Sequence, residues 1–127
     1  MKATRVGIAI VEHEGRFLVG VRGSDQVLAG HAEFPGGKCE DGEAASDSAA
    51  RECYEETGIE VSADRLLDKT EHEYEHGRIA LEFWLCHPVD SAFPENGFRW
   101  VRCEELATLG FPAANQRVVQ QILREFQ

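Results

Sequence analysis

The chain has no excess of basic charge, no long apolar run and no metal-type pairing of cysteines. Each absence removes a class of function. Thirteen Lys and Arg stand against 23 Asp and Glu, for a formal net charge of −10 and a pI near 4.9. A nucleic-acid polymer needs a basic footprint that releases counterions, so no polymer partner is expected. A nucleotide that arrives with its own cations is not excluded. No stretch approaches the roughly 18 apolar residues of a membrane span, and the Met1 end carries no apolar signal run, so no membrane partner is expected. Cys39, Cys53, Cys86 and Cys103 contain no C-x2-4-C pair. They suit reduced thiols in a cytoplasmic protein. No internal repeat or low-complexity segment is visible. What is present is 43% hydrophobic residues in 127, which suits one globular domain over 1–127.

The richest stretch is Gly37 to Ile59, GKCEDGEAASDSAARECYEETGI. Ala44 to Thr57 contains no Pro or Gly and four alanines, which predicts a helix. Gly58 follows as its C-terminal cap. On that helix Glu52, Glu55 and Glu56 share one face, while Ala50 and Cys53 offer a small apolar face for close packing on a sheet. At about 5.5 Å and an effective dielectric near 20, each pair of carboxylates costs roughly 3 kcal/mol. Such a face is either a solvated acidic surface or a site for a hard cation such as Mg²⁺. The helix charges alone do not choose; the flanking residues do.

Ahead of the helix, Phe34-Pro35-Gly36-Gly37-Lys38 reads as a tight loop bringing bare backbone to the helix start. It is not a Walker loop, because Ala32 and Cys39 stand where that motif needs a glycine and a hydroxyl. From Gly37, the positions of Glu43, Arg51, Glu52, Glu55, Glu56, Gly58 and Ile59 resemble the Nudix box, G-x5-E-x7-R-E-U-x-E-E-x-G-U, over residues 37–59. Cys53 takes the place of the first bulky apolar residue. The resemblance implies an α/β/α sandwich around a mixed sheet. It also implies cleavage of a diphosphate linked to another moiety, with Mg²⁺ or Mn²⁺. The metal ligands would be the Gly36 carbonyl, Glu52, Glu55 and Glu56. Arg51 would steady the acid face, and Glu43 would gain from the helix dipole.

The rest of the chain reads as strands, turns and one more helix. Val6 to Val11 and Phe17 to Val21 are strands about a turn at Glu12 to Arg16. Gly23 to Ala32 is a loop, and Asp64 to Leu67 a short connection. Lys69 to Glu75 is a half-exposed strand, and His76-Gly77 a turn. Arg78 to Cys86 and Phe98 to Arg102 are further strands, and Glu104 to Leu109 is a helical turn. Between these, Pro88 to Gly97 is a loop carrying Asp90 and Glu95. His72-Glu73-Tyr74-Glu75-His76 satisfies H-E-x-x-H. That motif binds zinc only on a helix; on a strand its histidines stand about 13 Å apart. Val118, Val119, Ile122, Leu123 and Phe126 make a helical stripe after Phe111-Pro112-Ala113-Ala114-Asn115.

Within the family, these segments are similar to MutT-like enzymes. That similarity implies that Arg22, Phe34, Lys38 and Asn115 bind substrate, with Asn115 reading a purine edge. By its residue type alone Asn115 is equally a helix N-cap. Glu95 stands five residues before Trp100, one closer than the family spacing. Either Glu52 or Glu95 would assist deprotonation of water, with Arg51 in the catalytic set. The expected activity is conversion of a nucleoside triphosphate to monophosphate and pyrophosphate. An oxidised purine such as 8-oxo-dGTP is the expected preference, a role in nucleotide-pool sanitation and DNA repair. A CTP, NTP or ADP-ribose hydrolase, or a non-catalytic nucleotide sensor, is the alternative.

Overall fold

A computed structural model describes residues 3–24, 29–90 and 93–127. Its elements in order are β1 (Ala3–His13), β2 (Arg16–Val21), β3 (Ala32–Glu33), β4 (Gly36–Lys38), α1 (Ala45–Thr57), β5 (Val61–Tyr74), β6 (Gly77–Pro88), β7 (Arg99–Arg102), two 3₁₀ turns (Cys103–Ala107 and Ala113–Asn115) and α2 (Gln116–Phe126). The sheet is mixed: β1 and β6 run parallel, and the other pairs are antiparallel. The first turn is two residues long, and both Glu14 and Gly15 have positive φ, the pattern that matches hairpin twist.

Strand alternation sends two sets of side chains to two faces. Ile10, Phe17, Val19, Phe83, Leu85 and Val101 meet Val118, Val119 and Ile122 of α2. Ala9, Val11, Leu18 and Cys86 meet Ala49 and Cys53 of α1. The result is the expected α/β/α sandwich in one domain. Each fully buried Ile or Phe contributes about 1.5–3 kcal/mol. The α1 contact is unusually close. A Cβ on Gly7 would fall 2.0 Å from the Ala45 carbonyl oxygen, so helix backbone rests on strand backbone. The contact face is Ala45, Ser48, Ala49 and Cys53; Ala50 is only half-buried.

Four expectations are corrected. Residues 36–38 are a strand, not loop, because glycines let β4 lie against β1: a Cβ on Gly36 would meet the Gly7 oxygen at 2.6 Å. Asp64 to Leu67 is no connection. It lies inside β5, whose register slips between Ala63 and Arg65 and again between Leu66 and Asp68. Two bulges break the period-2 pattern by which a strand is recognised. The segment read as half-exposed is exposed from Glu71 onward, and Gly77 opens β6 rather than closing the turn. Part of the Gly23 to Ala32 loop and of the Pro88 to Gly97 loop lies outside the described residues.

β1 and β2 pair only at Glu12–His13, beside their turn. Further along they diverge. β2 turns to β3 and β7, and β4 takes the vacated edge of β1 at Val6–Ile8. This fork leaves β4 paired with β1 alone among the described strands, beside α1.

Candidate active site

α1 presents Ser48, Glu52 and Glu56 to β4. Ser48 is buried, and its hydroxyl donates to the Gly37 carbonyl at 3.0 Å. Glu52 lies flat on bare backbone: a Cβ on Gly37 would stand 2.4 Å from its carboxyl carbon. The β4 pairing then decides where Gly36 points. Ala9 donates to the Pro35 carbonyl and Cys39 to the Arg5 carbonyl, each at 2.8 Å. Alternation along an antiparallel ladder makes Gly37–Gly7 a bonded pair and turns the N–H and C=O of Gly36 outward. The Gly36 N–H reaches Glu56, so the Gly36 carbonyl lies on that same side. Burial first, then the adjoining Glu52 and Glu33, push the Glu56 carboxyl up to about 8.

Arg51 gathers the remaining acids. Its Nε and Nη2 donate to Glu43 at 2.8 and 3.0 Å, a two-pronged contact. Its Nη1 donates to Glu52 at 3.1 Å and to both oxygens of Glu55 at 3.2 Å, and Nη2 reaches the Lys38 carbonyl at 3.1 Å. The Arg51 contact, with the Glu40 N–H, holds the Glu43 carboxyl down at about 2. Glu43 is thus a partner of Arg51 before it is a partner of the helix dipole. Glu55 is 54% exposed and shares the Arg51 Nη1 with Glu52.

On the other side of β4 lies a cavity of about 260 Å³, lined by Val6, Ile8, Arg22, Glu33, Phe34, Gly36, Leu81, Pro112, Ala114 and Asn115. Phe34 is both wall and core: it is 7% exposed and stacks on Phe111 with centroids 4.6 Å apart. Arg22 stands 3.6 Å from Glu33. Burial raises the Glu33 carboxyl, and Arg22 opposes that rise. Asn115 closes its 3₁₀ turn in right-handed helical geometry, and its side chain makes no cap bond to α2. Arg22, Phe34, Gly36 and Asn115 therefore share one cavity. Lys38 does not; it lines a separate cleft with Arg5, Cys39 and Glu40. Glu95 stands elsewhere again, its carboxylate over Gly58 at the end of α1. Glu33, Ser48 and the cavity floor of Val6, Ile8 and Leu81 were not foreseen. An acid directly before Phe34-Pro35-Gly36-Gly37 was the available signal for Glu33.

Among the described residues, no three acids, histidines or cysteines stand together in metal-ligating geometry. The donor set nonetheless fits a hard cation. Glu52, Glu56 and the Gly36 carbonyl are all oxygen donors on one side of β4, and a cation would offset both the burial of the Glu56 carboxyl and its repulsion by Glu52. The H-E-x-x-H histidines do not fit zinc: His72 is exposed on β5 and His76 sits in the turn. No helix among the described residues is long and apolar enough to cross a membrane.

The NUDIX domain model matches residues 6–121. An 8-oxo-dGTP diphosphatase of Escherichia coli (strain K12) is 31% identical over 98% of this chain and 99% of its own. A CTP pyrophosphohydrolase of the same organism is 32% identical over 90% of this chain and 85% of its own. Among solved structures, the Escherichia coli ORF135 protein superposes with a TM-score of 0.80 at 28% identity, covering 98% of this chain and 93% of that one. The MutT protein of methicillin-resistant Staphylococcus aureus 252, a Nudix hydrolase, gives 0.79 at 29% identity, covering 98% of both chains. With the family model spanning nearly all of the fold and relatives above 30% identity covered almost end to end, the chain belongs to the NUDIX domain family and is a Nudix hydrolase.

Proposed function

We propose that this chain hydrolyses a nucleoside triphosphate to the monophosphate and pyrophosphate, with an oxidised purine such as 8-oxo-dGTP preferred. One observation carries the reading: Gly36 both lines the cavity with Phe34 and Asn115 and stands against Glu56 of the acid face. A base held against Phe34 would direct its phosphates across β4 toward Glu52 and Glu56. Bound by those carboxylates and the Gly36 carbonyl, Mg²⁺ or Mn²⁺ would neutralise the polyphosphate and polarise phosphorus. Glu52 is the better candidate to take the proton of the attacking water. It sits beside the open edge of β4, whereas Glu95 lies exposed over Gly58. Arg51 orients both Glu52 and Glu55 through one guanidinium nitrogen, and each carboxylate keeps lone pairs that a cation could use. The uncapped amide of Asn115 is available to pair with a base edge. Free thiols throughout the described cysteines suit a cytoplasmic setting.

A second reading, a pyrimidine triphosphate pyrophosphatase, is supported by the likeness to the CTP pyrophosphohydrolase. A screen of 8-oxo-dGTP, dGTP, CTP, dCTP and ADP-ribose with Mg²⁺ tests both, with products resolved as pyrophosphate or phosphate. The expected result is pyrophosphate released fastest from 8-oxo-dGTP. Fastest release from CTP would replace the first reading with the second, and no turnover of any nucleotide would overturn both.

A further inference from the structure

We propose that Asp68 and Arg117 form a strut between β5 and α2 that positions Asn115, making them specificity-determining residues outside the cavity itself. The inference rests on Asn115 reading the base, as proposed above. Asn115 is held by little of its own. Its backbone N–H donates to the Pro112 carbonyl at 2.9 Å, and its side chain makes no cap bond. The next two residues, Gln116 and Arg117, set its place. Gln116 donates to the Phe111 carbonyl at 2.9 Å, fixing the turn to the residue that stacks on Phe34. Arg117 crosses to β5. Its Nε and Nη2 donate to the two oxygens of Asp68 at 2.9 and 2.6 Å, and Nη2 also donates to the Lys69 carbonyl at 3.2 Å. A planar fork on a carboxylate plus a main-chain oxygen fixes direction as well as distance.

The sheet is built to offer this contact. Arg65 and Asp68 are three residues apart, so in a regular strand they would point to opposite faces. The register slip between Leu66 and Asp68 puts both on the α2 face. Arg65 there meets Glu125 at 2.7 Å, a second strut near the far end of α2. The two struts differ in what they are near. Glu125 is ten residues from Asn115 along the chain, about 15 Å of helix; Arg117 is only two residues from it. Asp68 is 14% exposed and Arg117 68%. Ion pairs with an exposed partner, here Arg117, contribute little stability, so the expected consequence of the Arg117 strut is placement rather than folding.

The test compares Arg117→Ala, Asp68→Asn, Arg117→Lys and Arg65→Ala, each alone, and Arg117→Ala combined with Asn115→Ala. The readout is kcat and KM separately for the best purine triphosphate and for dCTP, with melting temperature as a check on folding. Arg117→Ala and Asp68→Asn are expected to lower the purine-to-dCTP ratio of kcat/KM about tenfold, chiefly through purine KM, with dCTP turnover unchanged. Arg117→Lys keeps the charge without the fork and recovers part of the ratio. Arg65→Ala leaves it unchanged. In the Asn115→Ala background, Arg117→Ala has no further effect. If Asn115→Ala moves the ratio but Arg117→Ala and Asp68→Asn do not, the strut proposal is wrong and the base-reading role stands. An equal loss with Arg65→Ala, or a full further loss in the double variant, also overturns the strut. If Asn115→Ala itself leaves the ratio unmoved, the base-reading role fails and the strut has nothing to position. Asp68→Asn keeps the side chain's shape and supplies the reading should Arg117→Ala fail to fold.

Discussion

Asn115 and Glu52 show how one residue's role is settled by its neighbours. Asn before a helix reads as an N-cap, and removing a cap costs about 1 kcal/mol. Here the residue has helical backbone angles and no cap bond. Asn115→Ala is therefore expected to leave the melting temperature unchanged while lowering purine selectivity about ten- to a hundredfold, the cost of an unpaired polar edge. Thermal melts beside the two-substrate kinetics check this; a drop in stability with no change in selectivity would return Asn115 to a capping role. For Glu52, the carboxylate rests on the bare backbone of Gly37 and bonds Arg51. Glu52→Gln is expected to lower kcat by about 10²–10⁴-fold with the fold intact. Hydrolysis at the native rate would remove Glu52 from the chemistry.

At the scale of elements, two glycines test two different contacts. Gly7 of β1 faces backbone of α1, with the Ala45 oxygen 2.0 Å from any added Cβ. Backbone cannot step aside, so Gly7→Ala should push the helix off the sheet and destabilise the fold by about 1–3 kcal/mol or more. Gly37 of β4 faces the tip of the Glu52 side chain at 2.4 Å. That tip can swing, so Gly37→Ala should keep most of the stability but misplace the carboxylate. A displacement near 1 Å costs about 10²-fold in rate. Denaturant unfolding and kcat on the same two variants separate the cases: stability lost in Gly7→Ala, turnover lost in Gly37→Ala. The reverse pattern would mean that α1 and β4 are held by contacts other than these.

For the whole molecule, the acid face makes stability depend on pH and on cations. Glu56 has a folded value of about 8 against an ordinary 4.5. Between those values the folded chain holds more protons than the unfolded one, so raising the pH destabilises the metal-free protein. Glu43 acts with the opposite sign. Its folded value of about 2 contributes stability that is present above 4.5 and lost as pH falls through 2. The metal-free melting temperature is therefore expected to fall from about pH 5 to pH 8 and again toward pH 2. Millimolar Mg²⁺ should raise it most at the alkaline end, by binding the ionised pair. Glu56→Gln should flatten the alkaline fall and remove most of the Mg²⁺ shift. Melts in EDTA and in Mg²⁺ across this range check it, and an identical profile in Glu56→Gln would place the titrating group elsewhere.

The sequence by itself determined what depends on local periodicity and spacing. The acid triplet, the α1 helix with Gly58 in the left-handed region at φ 78°, the first hairpin and the amphipathic stripe of α2 are all properties of residues a few positions apart. Only the tertiary structure decided what depends on register between distant strands. The outward turn of Gly36 follows from pairing with β1, and the electrostatic reach of Glu33 to Glu56 from the pairing of β3 with β2. Glu52 and Glu55 share one guanidinium nitrogen of Arg51 because Glu43 takes its other edge. The bulges of β5 hid a strand that alternation would have revealed, and the same bulges turn Asp68 toward Arg117. Local pattern encodes which face a side chain takes within its own element; which groups that face then meets is set by long-range pairing, whose register no short window of residues contains.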